Sequence, residues 1–206
     1  MNNTNRVAWF VFAFLAVGVG LYPLLYLFVD RKFGLLASKS DALLADVFWN
    51  IGFYGHILLG GLALAIGWVQ FSKKIRNANL GRHRTIGKVY VISVLISGSC
   101  GVFIAFNATG GLVTTLGFMS LGLIWLYTTL KAYFAVREGD IALHEGLMIY
   151  SYAACFAAVT LRIWLPLLTL SLQDFTTAYR IVAWLCWIPN IIFAYFWVRR
   201  KGLILG

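Results

Sequence analysis

Apolar residues occur in six long blocks, at about residues 7–28, 47–71, 89–106, 112–136, 146–168 and 177–198, parted by short polar connections. Each block approaches or exceeds the roughly 20 residues that carry an α-helix across a bilayer. Polar and apolar positions do not alternate within the blocks, so the strands of a closed barrel are excluded. Helices remain as the way to satisfy every backbone group in lipid. The pattern predicts an all-α integral membrane protein, a bundle of about six transmembrane helices that forms a single domain over residues 1–206.

Smaller features refine each block. The Met1–Arg6 leader resembles the basic start of a signal peptide. The apolar run behind it is too long for one and no small-x-small site follows, which predicts a retained span. Pro23 interrupts that span and frees the carbonyl of Val19, predicting a kink. Asp30 to Asp46 is a polar connection in which Ser40 is placed to cap a short helix over Asp41–Ala45. In the second block Gly52, His56, Gly60, Ala63 and Gly67 share one helix face, and Ser93, Ser97, Gly101 and Ala105 do so in the third. Small residues at that spacing let helices approach closely, so the two rows are expected to meet. The fifth block carries Tyr150, Ala154, Ala158 and Arg162 on one face. In the sixth, Asn190 is expected to bond the Leu185 carbonyl that Pro189 leaves free.

Composition agrees with the pattern, being 61% hydrophobic and 12% charged with a mean hydropathy of +0.83. A soluble domain of this length has too little polar surface to cover so much apolar side chain. The net charge of +10 does not point to nucleic acid, because the basic residues sit in the connections. With six spans, one side holds Arg6, Lys73, Lys74, Arg76, Arg82, Arg84, Lys88, Lys131, Arg137, Arg199, Arg200 and Lys201. The other holds Arg31, Lys32, Lys39 and Arg180. The excess predicts both termini in the cytoplasm of a bacterial cell, with the protein in its cytoplasmic (inner) membrane. The basic loop Ser72–Lys88 is expected to meet anionic lipid headgroups there. Trp9, Trp49, Trp68, Trp164 and Trp197 fall near block ends, where indoles favour the headgroup layer. Cys100, Cys155 and Cys186 all lie inside blocks without CxxC spacing and are expected to pack as small hydrophobes.

Two constellations carry candidate chemistry. Arg162 lies inside a span, where a charge costs about 2.5–3.5 kcal/mol on insertion scales, and no carboxylate lies in a span core to pair with it. It either reaches outer headgroups or backbone carbonyls, or it holds an anion. His56 lies near the same depth and is either a packed interhelical hydrogen-bond partner or part of a binding site. Together they predict an outward-facing polar site for a small ligand, ion or lipid headgroup, with Asn50 and Arg180, beside Asp46 and Asp174, at its mouth. The protein would serve alone or within a larger membrane assembly. The second constellation is His83 with His144, both at the cytoplasmic ends of spans. Two histidines at one depth can ligate haem b, which would make the chain a quinone-linked or ferric-reductase-like redox protein. No metalloprotease motif, nucleophile elbow or phosphate-binding glycine loop occurs, so no catalytic residue is assigned.

Several short motifs resemble a known family. These are His56-Ile-Leu-Leu-Gly60 with Gln70-Phe71, His83-Arg84 with Gly87-Lys-Val-Tyr90, and Ala132-Tyr133. His144 with Met148 and Ser151-Tyr152-Ala153, Leu161-Arg162 with Leu165-Pro166, and Trp184-Leu-Cys-Trp187-Ile-Pro-Asn190 complete the set. They span about Gly55 to Asn190 and resemble domain-of-unknown-function family 2306, uncharacterised bacterial multi-pass membrane proteins. Leu147 and Tyr150 stand where that pattern would place a tryptophan and an arginine. The resemblance implies a multi-pass topology and brings no activity with it.

Overall fold

The structure is a computed structural model that describes residues 3–29 and 32–203. Met1 and Asn2 of the leader, Asp30 and Arg31 of the first connection, residues 204–206 and the side chains of Asn3, Thr4, Asn5 and Lys73 lie outside the described residues. No strand occurs among the described residues, and six helical stretches are long and apolar enough to cross a bilayer. In none is more than a third of the most apolar window buried within the protein. Most of that apolar surface faces outward, as contact with lipid requires.

The helices are α1 (Asn3–Leu21), α2 (Asp41–Ala45), α3 (Val47–Gly67), α4 (Lys73–Ala78) and α5 (Leu80–Ala105). They continue with α6 (Leu112–Arg137), α7 (Ile141–Cys155), α8 (Ala157–Leu172), α9 (Phe175–Leu185) and α10 (Ile188–Arg200). The first span is α1 extended by a 3-10 stretch over Tyr22–Leu27. The change of helix type comes just before Pro23, whose ring and missing N–H disfavour a continuing α-helix. The fifth and sixth spans are each made of two helices, α7 with α8 and α9 with α10.

Local chemistry places the helix starts. Ser40 Oγ accepts from the Leu43 N–H, Asp46 Oδ1 from Trp49, Asn79 Oδ1 from Arg82 and Asp140 Oδ1 from Leu143. Each supplies an acceptor for an N–H that the first helical turn leaves without one. Asn79 also corrects the sequence reading of Ser72–Lys88 as a loop. The segment is helical, with α4 capped by Ser72 and α5 starting at Leu80, nine residues before the predicted third span. Lysine and arginine are good helix formers, and their charged ends lie outside the apolar layer while the backbone stays helical.

The two rows of small residues meet. A Cβ on Gly60 would fall 2.8 Å from Ser97 Oγ, and one on Gly67 would fall 2.8 Å from the Tyr90 ring. On its other side α3 crosses α1 where Gly20 and Gly61 touch backbone to backbone. Spans three, four and five continue the bundle, with α6 packed on α5, α7 and α9, and α8 on α9 and α1. In the half of the bundle nearest the termini, α7 fills the centre. There Ser151 Oγ lies 2.8 Å from Tyr90 Oη and 2.6 Å from Thr129 Oγ1, and Tyr152 Oη donates to the Leu64 carbonyl. These hydroxyls are buried and satisfy one another, as a lipid-embedded core demands.

Trp49 departs from the expectation of a headgroup indole. It is 4% exposed, stacked on Phe53 at 5.2 Å and packed with Leu36 and Leu44. The connection from Gly34 to Ala45 folds back over the end of α3 and covers it.

Candidate functional site

In the other half of the bundle the centre is not filled. A cavity of about 230 Å³ lies there, reached by side chains from all six spans. Ala154 and Cys155 at the end of α7 line it towards the termini, and Leu35, Leu36 and Lys39 of the first connection line the other end. Ile57, Leu121, Trp125 and Leu161 are among its apolar walls.

His56 and Arg162 line this same cavity. His56 Nδ1 lies 3.0 Å from the Ser97 carbonyl, so that nitrogen carries the proton and the other ring nitrogen is left for other partners. Ser97 Oγ in turn donates to the His56 carbonyl at 2.8 Å. The ring has room because residue 101 is glycine, where a Cβ would come within 2.8 Å of Nδ1. Arg162 Nη1 donates to the Ala158 carbonyl one turn back at 2.9 Å, and the guanidinium lies over the Tyr22 ring at 4.5 Å. Its Nε is buried with no hydrogen-bond acceptor. The guanidinium is near enough to His56 for the two to interact electrostatically.

The break between α7 and α8 sets where Arg162 lies. In an unbroken helix the Ala153 carbonyl would accept from Ala157, but here it accepts from Asn190 Nδ2 of α10 at 3.3 Å. Asn190 Nδ2 also reaches the Cys186 carbonyl at 3.0 Å and Thr160 Oγ1 at 3.2 Å. Thr160 Oγ1 donates to the same Cys186 carbonyl. The acceptor for Asn190 is therefore Cys186 and not the expected Leu185, because the sixth span breaks at Cys186–Trp187. Tyr150, expected on a common face with Arg162, packs instead with Ile149, Ala194 and Val198.

Asn50 and Arg180 do not line the cavity. Asn50 Nδ2 donates to the Leu44 carbonyl at 2.9 Å and joins α2 to α3. Arg180 is exposed and its Nε donates to the Gly110 carbonyl at 2.8 Å, fixing α9 to the turn after α5. Asp46 and Asp174 cap helices, and the Asp174 carboxyl is held below its usual range mainly by the Thr177 hydroxyl and by backbone N–H groups. The residue missed by sequence reasoning is Lys39. It lines the cavity and donates from Nζ to Thr109 Oγ1 at 3.1 Å and to the Asn107 carbonyl, while burial pushes its ammonium below the usual lysine range. An irregular connection carries no periodicity, so nothing in the sequence could aim this side chain inward.

His83 and His144 are brought near one another at the opposite end of the bundle. His144 Nδ1 donates to the Ala132 carbonyl at 2.9 Å, and His83 is within electrostatic reach of His144, Arg76 and Arg84. Ser97, the partner of His56, lies 14 residues further along α5 than His83, or about 21 Å at the helical rise. The cavity touches neither His83 nor His144. Among the described residues no three His, Cys, Asp or Glu side chains gather as a metal centre.

No curated protein and no solved structure matches the chain. A family described as "predicted membrane protein" matches residues 53–198, which run from the second span to the end of the sixth and include His56, His83, His144 and Arg162. The chain belongs to this family, DUF2306.

Proposed function

We propose that this is a multi-pass membrane protein that holds a small ligand, ion or lipid headgroup in the cavity between His56 and Arg162. The observation that supports the reading is that one cavity is lined by both residues, although they come from the second and fifth spans. A polar pair in an apolar enclosure is the usual composition of a small-molecule site. In this reading the termini and the Ser72–Lys88 segment face the cytoplasm of a bacterial inner membrane and meet its anionic lipids. The first connection and Arg180 then face outward, and Lys39 stands at the outer end of the cavity.

Thermal unfolding of the purified protein in detergent tests the binding role. The probes are benzoate, benzamide and sulfate, with Ala158→Phe as a variant that fills the cavity. A probe at a hundred times its Kd stabilises the folded state by about 2.7 kcal/mol. The expected result is stabilisation of the native protein by at least one probe and no effect on Ala158→Phe. Equal responses of the two proteins to every probe would remove the cavity as the binding site.

A further inference from the structure

We infer that the ligand of this cavity is a compact organic carboxylate, held by the Nε edge of Arg162 with its apolar body against the cavity wall. This inference rests on the reading of the cavity as a binding site and adds the class of ligand.

Charge is the first reason. Among the described residues no Asp or Glu lines the cavity, and the ion pairs are Lys32–Asp41 and Lys201–Glu145, neither of which involves Arg162. A guanidinium stays charged in proteins, so its enclosure in an apolar site calls for an anion. The Tyr22 ring face offsets part of that demand and supplies no hydrogen-bond acceptor.

The second reason is the geometry of the guanidinium. Nη1 is occupied by the Ala158 carbonyl, whereas Nε is buried and has no acceptor. A guanidinium edge offers two parallel N–H groups that match the two oxygens of a carboxylate. A dianionic phosphate would need further donors at the same depth. Among the described residues the other Lys or Arg that lines the cavity is Lys39, which already donates to Thr109 and Asn107.

Size and wall chemistry complete the assignment. A cavity of about 230 Å³ is smaller than the roughly 300–1,000 Å³ of sites for drug-sized ligands. That volume is too small to take in the chains of a phospholipid. An inorganic anion would fit by volume, but it would leave Ile57, Leu121, Trp125 and Leu161 facing no apolar surface and would lose its hydration to them. A short-chain or aromatic acid satisfies both the cation and the walls.

The same three probes, titrated by thermal unfolding and by calorimetry, test this assignment. Benzoate is expected to bind the native protein about tenfold or more tightly than benzamide, the difference of a charge-assisted hydrogen bond. Sulfate is expected to bind no better than benzamide. Arg162→Gln is expected to remove the preference for benzoate, and Arg162→Lys, which keeps the charge and loses the planar edge, to reduce it. Should Arg162→Gln fail to fold, the native comparison of benzoate with benzamide and the loss of both in Ala158→Phe still decide. Equal binding of benzoate and benzamide would overturn the carboxylate assignment and leave the cavity reading standing. Sulfate binding as tightly as benzoate would overturn the assignment in favour of an inorganic anion. No binding of any probe, with Ala158→Phe behaving as native, would overturn both.

Discussion

The Asn190 side chain in the sixth span donates to the Ala153 carbonyl in the fifth, at 3.3 Å, in the gap where α7 gives way to α8. The same amide bonds the Cys186 carbonyl at the gap between α9 and α10. Two helix breaks face one another across one side chain. The break in the fifth span leaves α7 as the plug of one half of the bundle and α8 as a wall of the cavity in the other.

Asn190→Leu keeps the volume and removes the donor. It leaves the Ala153 carbonyl without a partner, which is expected to destabilise the protein by about 1–2 kcal/mol. Unfolding in mixed micelles of rising denaturing-detergent content measures this. Because α8 carries Arg162, the variant is also expected to weaken benzoate binding, whereas a distant substitution of equal stability cost would leave that binding unchanged.

Lys39 predicts a pH dependence. Burial lowers its pKa from the ordinary lysine value of 10.5, so between the folded-state and unfolded pKa values the unfolded chain binds more protons at this site than the folded one. Stability from this residue therefore rises with pH from the lowered folded-state pKa up to the unfolded value and levels off above it. The measurement is the difference in unfolding free energy between native protein and Lys39→Met across the alkaline range. The difference is expected to move in favour of the native protein as pH rises, and a flat difference would contradict the burial of the ammonium.

The orientation is testable by reporter fusion. With the termini in the cytoplasm, a fluorescent protein fused after Arg200 is expected to fold and fluoresce, and a phosphatase that needs export is expected to stay inactive there. Fused into the turn between Asn107 and Gly111, the phosphatase is expected to become active. The reverse pattern would invert the protein in the membrane and place the cavity towards the cytoplasm.

Much of the bundle was legible in the amino-acid sequence, for a physical reason. Lipid offers the backbone no hydrogen-bond partners, so long apolar blocks must be helices whatever they pack against. The same holds for the contact of α3 with α5, since the spacing of Gly52, His56, Gly60 and Gly67 is a property of one helix and leaves the close approach to its neighbour. Helix ends inside an apolar block were only partly legible. Pro189 marks the break at Cys186–Trp187, but Phe156 has no glycine or proline beside it, and the break there depends on Asn190, which is 34 positions away.

The site divides in the same way. Sequence alone singled out His56 and Arg162, because a titratable or charged side chain inside an apolar span is costly enough to stand out. Only the tertiary structure decided that the two line one cavity, that Lys39 joins them, and that Asn50 and Arg180 serve as ties at helix ends. Depth along a span follows from counting residues, but which helices stand side by side depends on how side chains from separate segments pack, and a single chain read in order does not contain that.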